Sequence, residues 1–224
     1  VGMAQMNLIP NLHAQGWRRL DALVLSHHDN DHAGGFDAVT AAFQPETIWA
    51  GQPEFYSQAQ LCADDIRWQW DGVHFEFLRP TGTFKADNDQ SCVLRVVANG
   101  QALLLTGDLG FAGEQALVAQ YGDDLYSQVL VLGHHGSASS SAAAFLDAVS
   151  PRWAIASSGF ANHYRHPSAA TQARLKTRNI ELLRTDYRGA WRIEMGSQQE
   201  PRVAPLVFRQ AYWYRKPFYL NLTQ

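Results

Sequence analysis

The chain has 224 residues, of which 46% are hydrophobic, 17% charged and 12% aromatic, the profile of one globular domain with a sizeable core, or of such a domain with a short appendage. The longest unbroken apolar run is Ala142 to Leu146, far short of the roughly 18 residues of a membrane span. A formal net charge of -3 excludes an overall polycation that binds nucleic acid by charge alone, although it leaves room for a local basic surface.

In chain order, the opening Val1-Gly2-Met3-Ala4-Gln5-Met6 has neither a basic leader nor a long apolar stretch, so no secretory signal is expected. Short apolar runs predict strands at Ala22 to Ser26, Thr47 to Ala50, Trp68 to Trp70, Val73 to Leu78, Ser91 to Ala98, Gln101 to Thr106, Gln128 to Leu132, Trp153 to Ser157, Ile180 to Arg184 and Trp191 to Glu194. Helices are predicted at Gly35 to Phe43, Glu54 to Ala63, Ala112 to Tyr121, Ser141 to Val149 and Ser168 to Thr177. Asn99-Gly100 is a two-residue hairpin signal, because both residues tolerate positive φ. Hairpins in the middle and strand–helix alternation toward the end favour α/β layers over a bundle or a pure sandwich. Cys62 and Cys92 can form at most one bridge; both sit in apolar company and read as buried thiols, which leaves the redox compartment undecided. From Pro201 to Gln224 there is no acid, while Arg202, Arg209, Arg215 and Lys216 stand among six aromatic residues. The chain therefore divides at 200 into a main domain and a basic aromatic extension, 201–224. That extension either packs on its own or a neighbouring domain, or stacks on single-stranded nucleic acid.

The histidines are clustered. Seven of the nine fall in three short segments, with His27, His28 and His32 first, His134 and His135 next, and His163 and His166 last. The first segment, Ser26-His27-His28-Asp29-Asn30-Asp31-His32-Ala33-Gly34-Gly35, lies between a strand and a helix, where imidazoles and carboxylates can converge on one or two divalent cations. Asp108 stands just beyond a hydrophobic strand, and strand ends are where α/β sheets place ligand-binding groups. Gly133-His134-His135-Gly136-Ser137 and Asn162-His163-Tyr164-Arg165-His166-Pro167 follow two further strands. The bland alternatives are a polar turn whose carboxylates cap the next helix, a Gly-Asp turn at 107–108, and a structural histidine pair bonding loop backbone.

Five motifs in order carry a resemblance over most of Leu20 to Trp191. They are Ser26-His27-x-Asp29-x-Asp31-His32-x-Gly34-Gly35, Asn88-x-x-Ser91, Thr106-Gly107-Asp108, His134-His135-Gly136-Ser137 and Asn162-x-Tyr164-x-His166-Pro167. Together they resemble the metallo-β-lactamase superfamily and, within it, the carboxy-terminal hydrolase domain of the ComEC family of competence DNA-uptake proteins. The resemblance implies an αβ/βα four-layer sandwich of mixed sheets. It implies His27, Asp29, Asp31, His32, Asp108, His135 and His166 as metal ligands, Asp108 bridging two metals, with His134 open as an alternative to His135. Family domains begin with a β-hairpin that has no counterpart before His27, so the fold is expected to lack its first strands.

Asp29 stands where many of these hydrolases have His, and no His lies near Asn88 to Ser91. More oxygen and less nitrogen hardens the site, so Mn²⁺ or Mg²⁺ competes with Zn²⁺. The resemblance implies two-metal hydrolysis of a phosphodiester, with Asp31 and Asp108 at the centre and Asn162, His163, Tyr164 or Arg165 orienting the phosphate or protonating the leaving oxygen. The function so implied is a nuclease degrading one DNA strand during uptake. The domain would be a monomer in isolation, attached to a membrane channel, at the inner membrane and on its periplasmic face. Two readings compete with it: a hydrolase of another ester, and a non-catalytic module that binds DNA or docks on a partner.

Overall fold

Alternation decides which face each strand buries. In the computed structural model, which describes residues 2–196 and 199–206, a π-helical turn (Ala4–Leu8) runs into α1 (Ile9–Ala14), followed by β1 (Ala22–Leu25), α2 (Asn30–Ala33), α3 (Phe36–Phe43), β2 (Thr47–Ala50) and β3 (Gln60–Leu61). Next come β4 (Arg67–Trp70), β5 (Val73–Leu78), β6 (Val93–Ala98), β7 (Gln101–Leu105), α4 (Phe111–Tyr121), β8 (Val129–Val131), α5 (Ala143–Val149) and β9 (Trp153–Ala156). The described chain closes with α6 (Ala169–Lys176), β10 (Glu181–Arg184), α7 (Thr185–Arg188), β11 (Trp191–Glu194) and β12 (Arg202–Pro205).

The strands form a three-stranded parallel sheet, β1-β2-β3, a seven-stranded mixed sheet, β10-β9-β8-β7-β6-β5-β4, and the β11-β12 ribbon. In the large sheet β7 to β10 run parallel and β4 to β7 antiparallel. On β1, Leu23 and Leu25 point to the α2 and α3 side, against Phe36 and Ala33. Val24 points the other way with Trp49 of β2, and these meet Phe77 and Leu94 of the large sheet. The outer face of the large sheet packs Leu104, Leu130 and Ala154 on Leu117 of α4, Phe145 of α5 and Leu175 of α6. The layers therefore run helix, sheet, sheet, helix. Beyond the small sheet, the inner face is covered by the β11-β12 ribbon, through Trp191, Ile193 and Val203 over Trp153 and Ile155.

Asn99 and Gly100 both take positive φ, 52° and 75°, and close the β6-β7 hairpin as their pairing predicts. The predicted helix over Glu54 to Ala63 is not formed. Pro53–Phe55 makes one 3₁₀ turn and Gln60–Leu61 pairs with β2. Tertiary contacts override helix propensity here, because Phe55 and Tyr56 are drawn onto His28 and Gln58 is left-handed at φ 66°. The two cysteines are not free thiols either; Cys62 and Cys92 form a disulfide across 5.7 Å between their Cα atoms. Cys62 follows β3 and Cys92 precedes β6, so the bridge joins the two sheets, a proximity that a separation of 30 residues in sequence does not reveal. The first residues of the expected extension, Arg202–Pro205, pair with β11, and the rest of it, 207–224, lies outside the described residues.

Candidate metal centre

The four segments singled out for their histidines and aspartates meet at one place, the seam where β1 of the small sheet faces β7, β8 and β9 of the large one. Asp31, His32, Asp108 and His135 each bring one donor atom into a group lying within 4.8 Å of one another. His135 Nε2 stands 3.1 Å from Asp31 Oδ2 and 3.4 Å from His32 Nε2. Asp108, 3% exposed, sits at the centre, with His32 3.0 Å from Oδ1 and His27, His134 and His135 3.8 to 3.9 Å from Oδ2.

Local structure aims these atoms. Asp108 follows β7 through Gly107, which is left-handed at φ 55°; a Cβ there would lie 2.7 Å from that of Ser26 and 2.9 Å from that of Ser91, so only glycine fits the crossing. The Asp108 backbone N–H donates to Ser91 Oγ, while Asp89 caps α4 through the N–H groups of Gly110 and Gly113. The Asn88-x-x-Ser91 motif thus serves the site by holding the Asp108 turn. After β8, His134 and His135 are both left-handed, at φ 46° and 54°, which turns two consecutive imidazoles toward Asp108.

The second ring nitrogens fix what the first can do. His135 Nδ1 lies 2.7 Å from the Ser157 carbonyl, and a carbonyl only accepts, so Nδ1 carries the proton and Nε2 faces the cluster with a lone pair. Ser26 Oγ lies 3.2 Å from His27 Nδ1 and 3.0 Å from His32 Nδ1; its two lone pairs can accept from both rings, leaving both Nε2 atoms bare when the rings are neutral. His134 is arranged the other way, with its Nδ1 3.4 Å from the Asn88 amide nitrogen, which donates. Its Nε2 then carries a hydrogen toward Asp108. His135, not His134, thus has a ring nitrogen with a free lone pair in the donor group.

The charge balance differs from ring to ring, lowering His27 toward the neutral form and favouring a proton on His32 Nε2 that a cation would have to displace. Burial pushes His27 below its ordinary pKa, with His32 adding to the effect against Asp108 and Asp29. Burial acts on His32 in the same direction, but Asp108, Asp31 and Asp29 outweigh it and hold His32 above its ordinary value. Burial alone would lift Asp108, yet His32, His135 and His134 keep its carboxyl below the usual range. Of the site's buried ring nitrogens, His166 Nδ1 has no hydrogen-bond partner among the described residues, and His27 Nε2 has nothing nearer than the Asp29 carboxylate at 3.4 Å. Such orphaned atoms cost roughly 1–3 kcal/mol each, a cost that coordination of a cation removes. Three imidazole nitrogens around carboxylate oxygens are a donor set suited to a divalent ion.

The remaining predicted residues flank this group. Asp29 lies 3.4 Å from His27 Nε2 and is more than half exposed. His166 stands with its ring 5.8 Å from that of His134 and 6.4 Å from that of His135. Asn162 is committed to the loop, donating to the His166 and Gly159 carbonyls and accepting from the His166 N–H. His163 is exposed and packs on Tyr164, outside the donor group. His28 faces away, stacked on Phe55 at 3.8 Å and bonded to Tyr56. The sequence marked Ser26 and Ser91 only as motif positions, and nothing in it marked the Ser157 carbonyl.

Residues 2–159 match the model of the metallo-beta-lactamase superfamily. The chain is 56% identical over 219 residues to Competence protein ComA of Neisseria gonorrhoeae, covering 97% of this chain and 31% of that protein. It is 32% identical over 201 residues to ComE operon protein 3 of Bacillus subtilis (strain 168), covering 81% and 25%. The chain thus spans a third or less of the length of these relatives. The solved metallo-beta-lactamase fold protein YhfI of Bacillus subtilis shares the fold at a TM-score of 0.51 and 14% identity, over 82% of this chain and 80% of that one. With the fold, the converging histidines and aspartates and these matches in agreement, the chain belongs to the metallo-β-lactamase superfamily, as a domain homologous to the ComA and ComEC competence proteins.

Proposed function

We propose that the domain is a metal-dependent phosphodiesterase that degrades one DNA strand during uptake. The observation that carries the reading is the donor group of Asp31, His32, Asp108 and His135 within 4.8 Å, with His135 and His32 oriented from behind by Ser157 and Ser26. Divalent ions held there, Mn²⁺ or Zn²⁺, or Mg²⁺, would supply Lewis-acid activation of water and charge neutralisation at phosphorus. The chain's own residues do the rest. His27, Asp29, Asp31, His32, Asp108, His135 and His166 would hold the two ions, with His134 the alternative to His135. His134, its Nε2–H turned into the site, is placed to donate to a phosphate oxygen. Asn162 positions His166, and His163 stands too far out for a first role.

The DNA substrate is supported by the similarity to competence proteins over nearly the whole chain. In this reading residues 1–200 are the hydrolase unit of a larger membrane protein, with 201–224 an extension. No helix among the described residues is long and apolar enough to cross a membrane. The Cys62–Cys92 disulfide supports an oxidising surrounding, the periplasmic face rather than the cytosol.

The test is to load the protein with Mn²⁺ or Zn²⁺ and follow labelled single-stranded DNA and bis-p-nitrophenyl phosphate with and without chelator. Chelator-sensitive cleavage, lost in Asp31→Ala and Asp108→Ala, is expected. Full activity in Asp108→Ala overturns the reading.

A further inference from the structure

The loop that follows β9 carries groups the donor cluster does not use. Phe160 and Tyr164 leave 79% and 70% of their surface in solvent, so neither ring belongs to a core. Tyr164 lies parallel to His166 at 5.7 Å and 12°, and His163 packs on Tyr164 at 3.8 Å. This makes an aromatic ladder from the rim of the donor group out to solvent. Beside it opens a cleft of about 280 Å³ bounded by Phe160, Arg165, His166, Gln172, Arg184 and Tyr187.

The cleft walls have different tasks. Arg184 is paired bidentately with Asp186, at 3.0 and 2.7 Å, and its guanidinium lies 4.1 Å over the Tyr187 ring. Its charge is therefore spent, and it holds Tyr187 as a fixed aromatic wall. Arg165 is exposed and has no acidic partner among the described residues. A flat apolar surface, an uncommitted cation and a metal-ligand histidine at one edge make a combination that suits a nucleobase with its phosphate. It does not suit a purely aliphatic chain.

We propose that this cleft receives the unpaired base of the nucleotide next to the scissile phosphate, stacked against Phe160 and Tyr187, with Arg165 on the neighbouring phosphate. The proposal rests on the phosphodiesterase reading and adds to it a preference for unpaired over duplex DNA: in a duplex the faces of the bases are covered by their neighbours and cannot enter. Stacking of this kind tolerates any base, because each has a π-face.

The experiment measures binding, not turnover. Fluorescence anisotropy is followed with a short phosphorothioate-linked oligothymidylate, which resists cleavage, and with an abasic strand of the same length and charge. Wild type is expected to prefer the base-bearing strand. Phe160→Ala and Tyr187→Ala should each weaken that strand by about 5- to 100-fold with no further loss on the abasic strand. Phe160→Trp should retain the preference, and the thermal midpoint of Phe160→Ala should match wild type, since the residue is 79% exposed. Equal affinity of wild type for both strands, or an equal loss on both in Phe160→Ala, overturns the proposal. Failure of the phosphodiesterase reading shows separately, as base-dependent binding without chelator-sensitive cleavage.

Discussion

At the scale of the residue, the site depends on atoms that never touch a metal. Ser26 Oγ contacts both His27 and His32, so one hydroxyl sets two tautomers. Ser26→Ala should lower metal affinity about 10- to 100-fold while leaving the fold intact, as titration with a metal indicator would show; unchanged affinity would mean the rings orient themselves. Gly107→Ala attacks the same crossing through the backbone. Its left-handed φ of 55° and the 2.7 Å approach to Ser26 forbid a Cβ without movement, and a loss of about 2 kcal/mol, or about 4–8 °C in melting temperature, is expected. A melt within a degree of wild type would show that the turn relaxes freely. The histidines and aspartates were legible in the sequence because their chemistry is written in their side chains. The device that orients His135 was not, since the Ser157 carbonyl is backbone and carries no residue type.

At the scale of the element, strand runs were readable almost to the residue, because alternation and β-branched content coincide with burial. Thr47–Ala50, Val73–Leu78 and Trp191–Glu194 appear with the predicted bounds. The segment from Glu54 to Ala63 misled because its composition is helical while its aromatic rings are claimed by His28 and its end by β2. β12 escaped notice, being flanked by Pro201 and ending in Pro205. One element carries a titration. Glu114 of α4 is 1% exposed and accepts from the N–H groups of Ser141 and Ala142, which lead into α5. Burial lifts its carboxyl from 4.5 to about 7, against those two donors and Arg174, with Asp89 adding to the lift. The native state therefore keeps a proton that the unfolded chain has released, so this contribution is complete below pH 4.5 and disappears as pH rises through about 7. The loss is about 3 kcal/mol. Glu114→Gln, neutral throughout, should remove this slope from urea midpoints measured between pH 5 and 8; parallel curves for the two proteins would place the carboxyl in its ordinary range.

At the scale of the whole molecule, two sheets are joined at one seam by a disulfide on one side and the donor group on the other. Closing a loop across a separation of 30 residues restricts the unfolded chain by about 3–4 kcal/mol. Reduction should then lower the melting temperature by about 10 °C, and a reduced protein melting with the oxidised one would show that the sheets hold without the bridge. The α/β layering was legible in the order of strands and helices. Which cysteine faced which was not, because pairing depends on how the sheets stack. The two tethers also share a residue: Ser26, behind His27 and His32, accepts the backbone N–H of Cys92 through its own carbonyl at 2.7 Å. Thiol oxidation therefore seats the strand end on which the metal-facing imidazoles depend. The redox state of one cysteine pair and the grip of the donor group on a cation are then a single linked property: the reduced protein should bind a divalent ion more weakly than the oxidised one in a titration with a metal indicator.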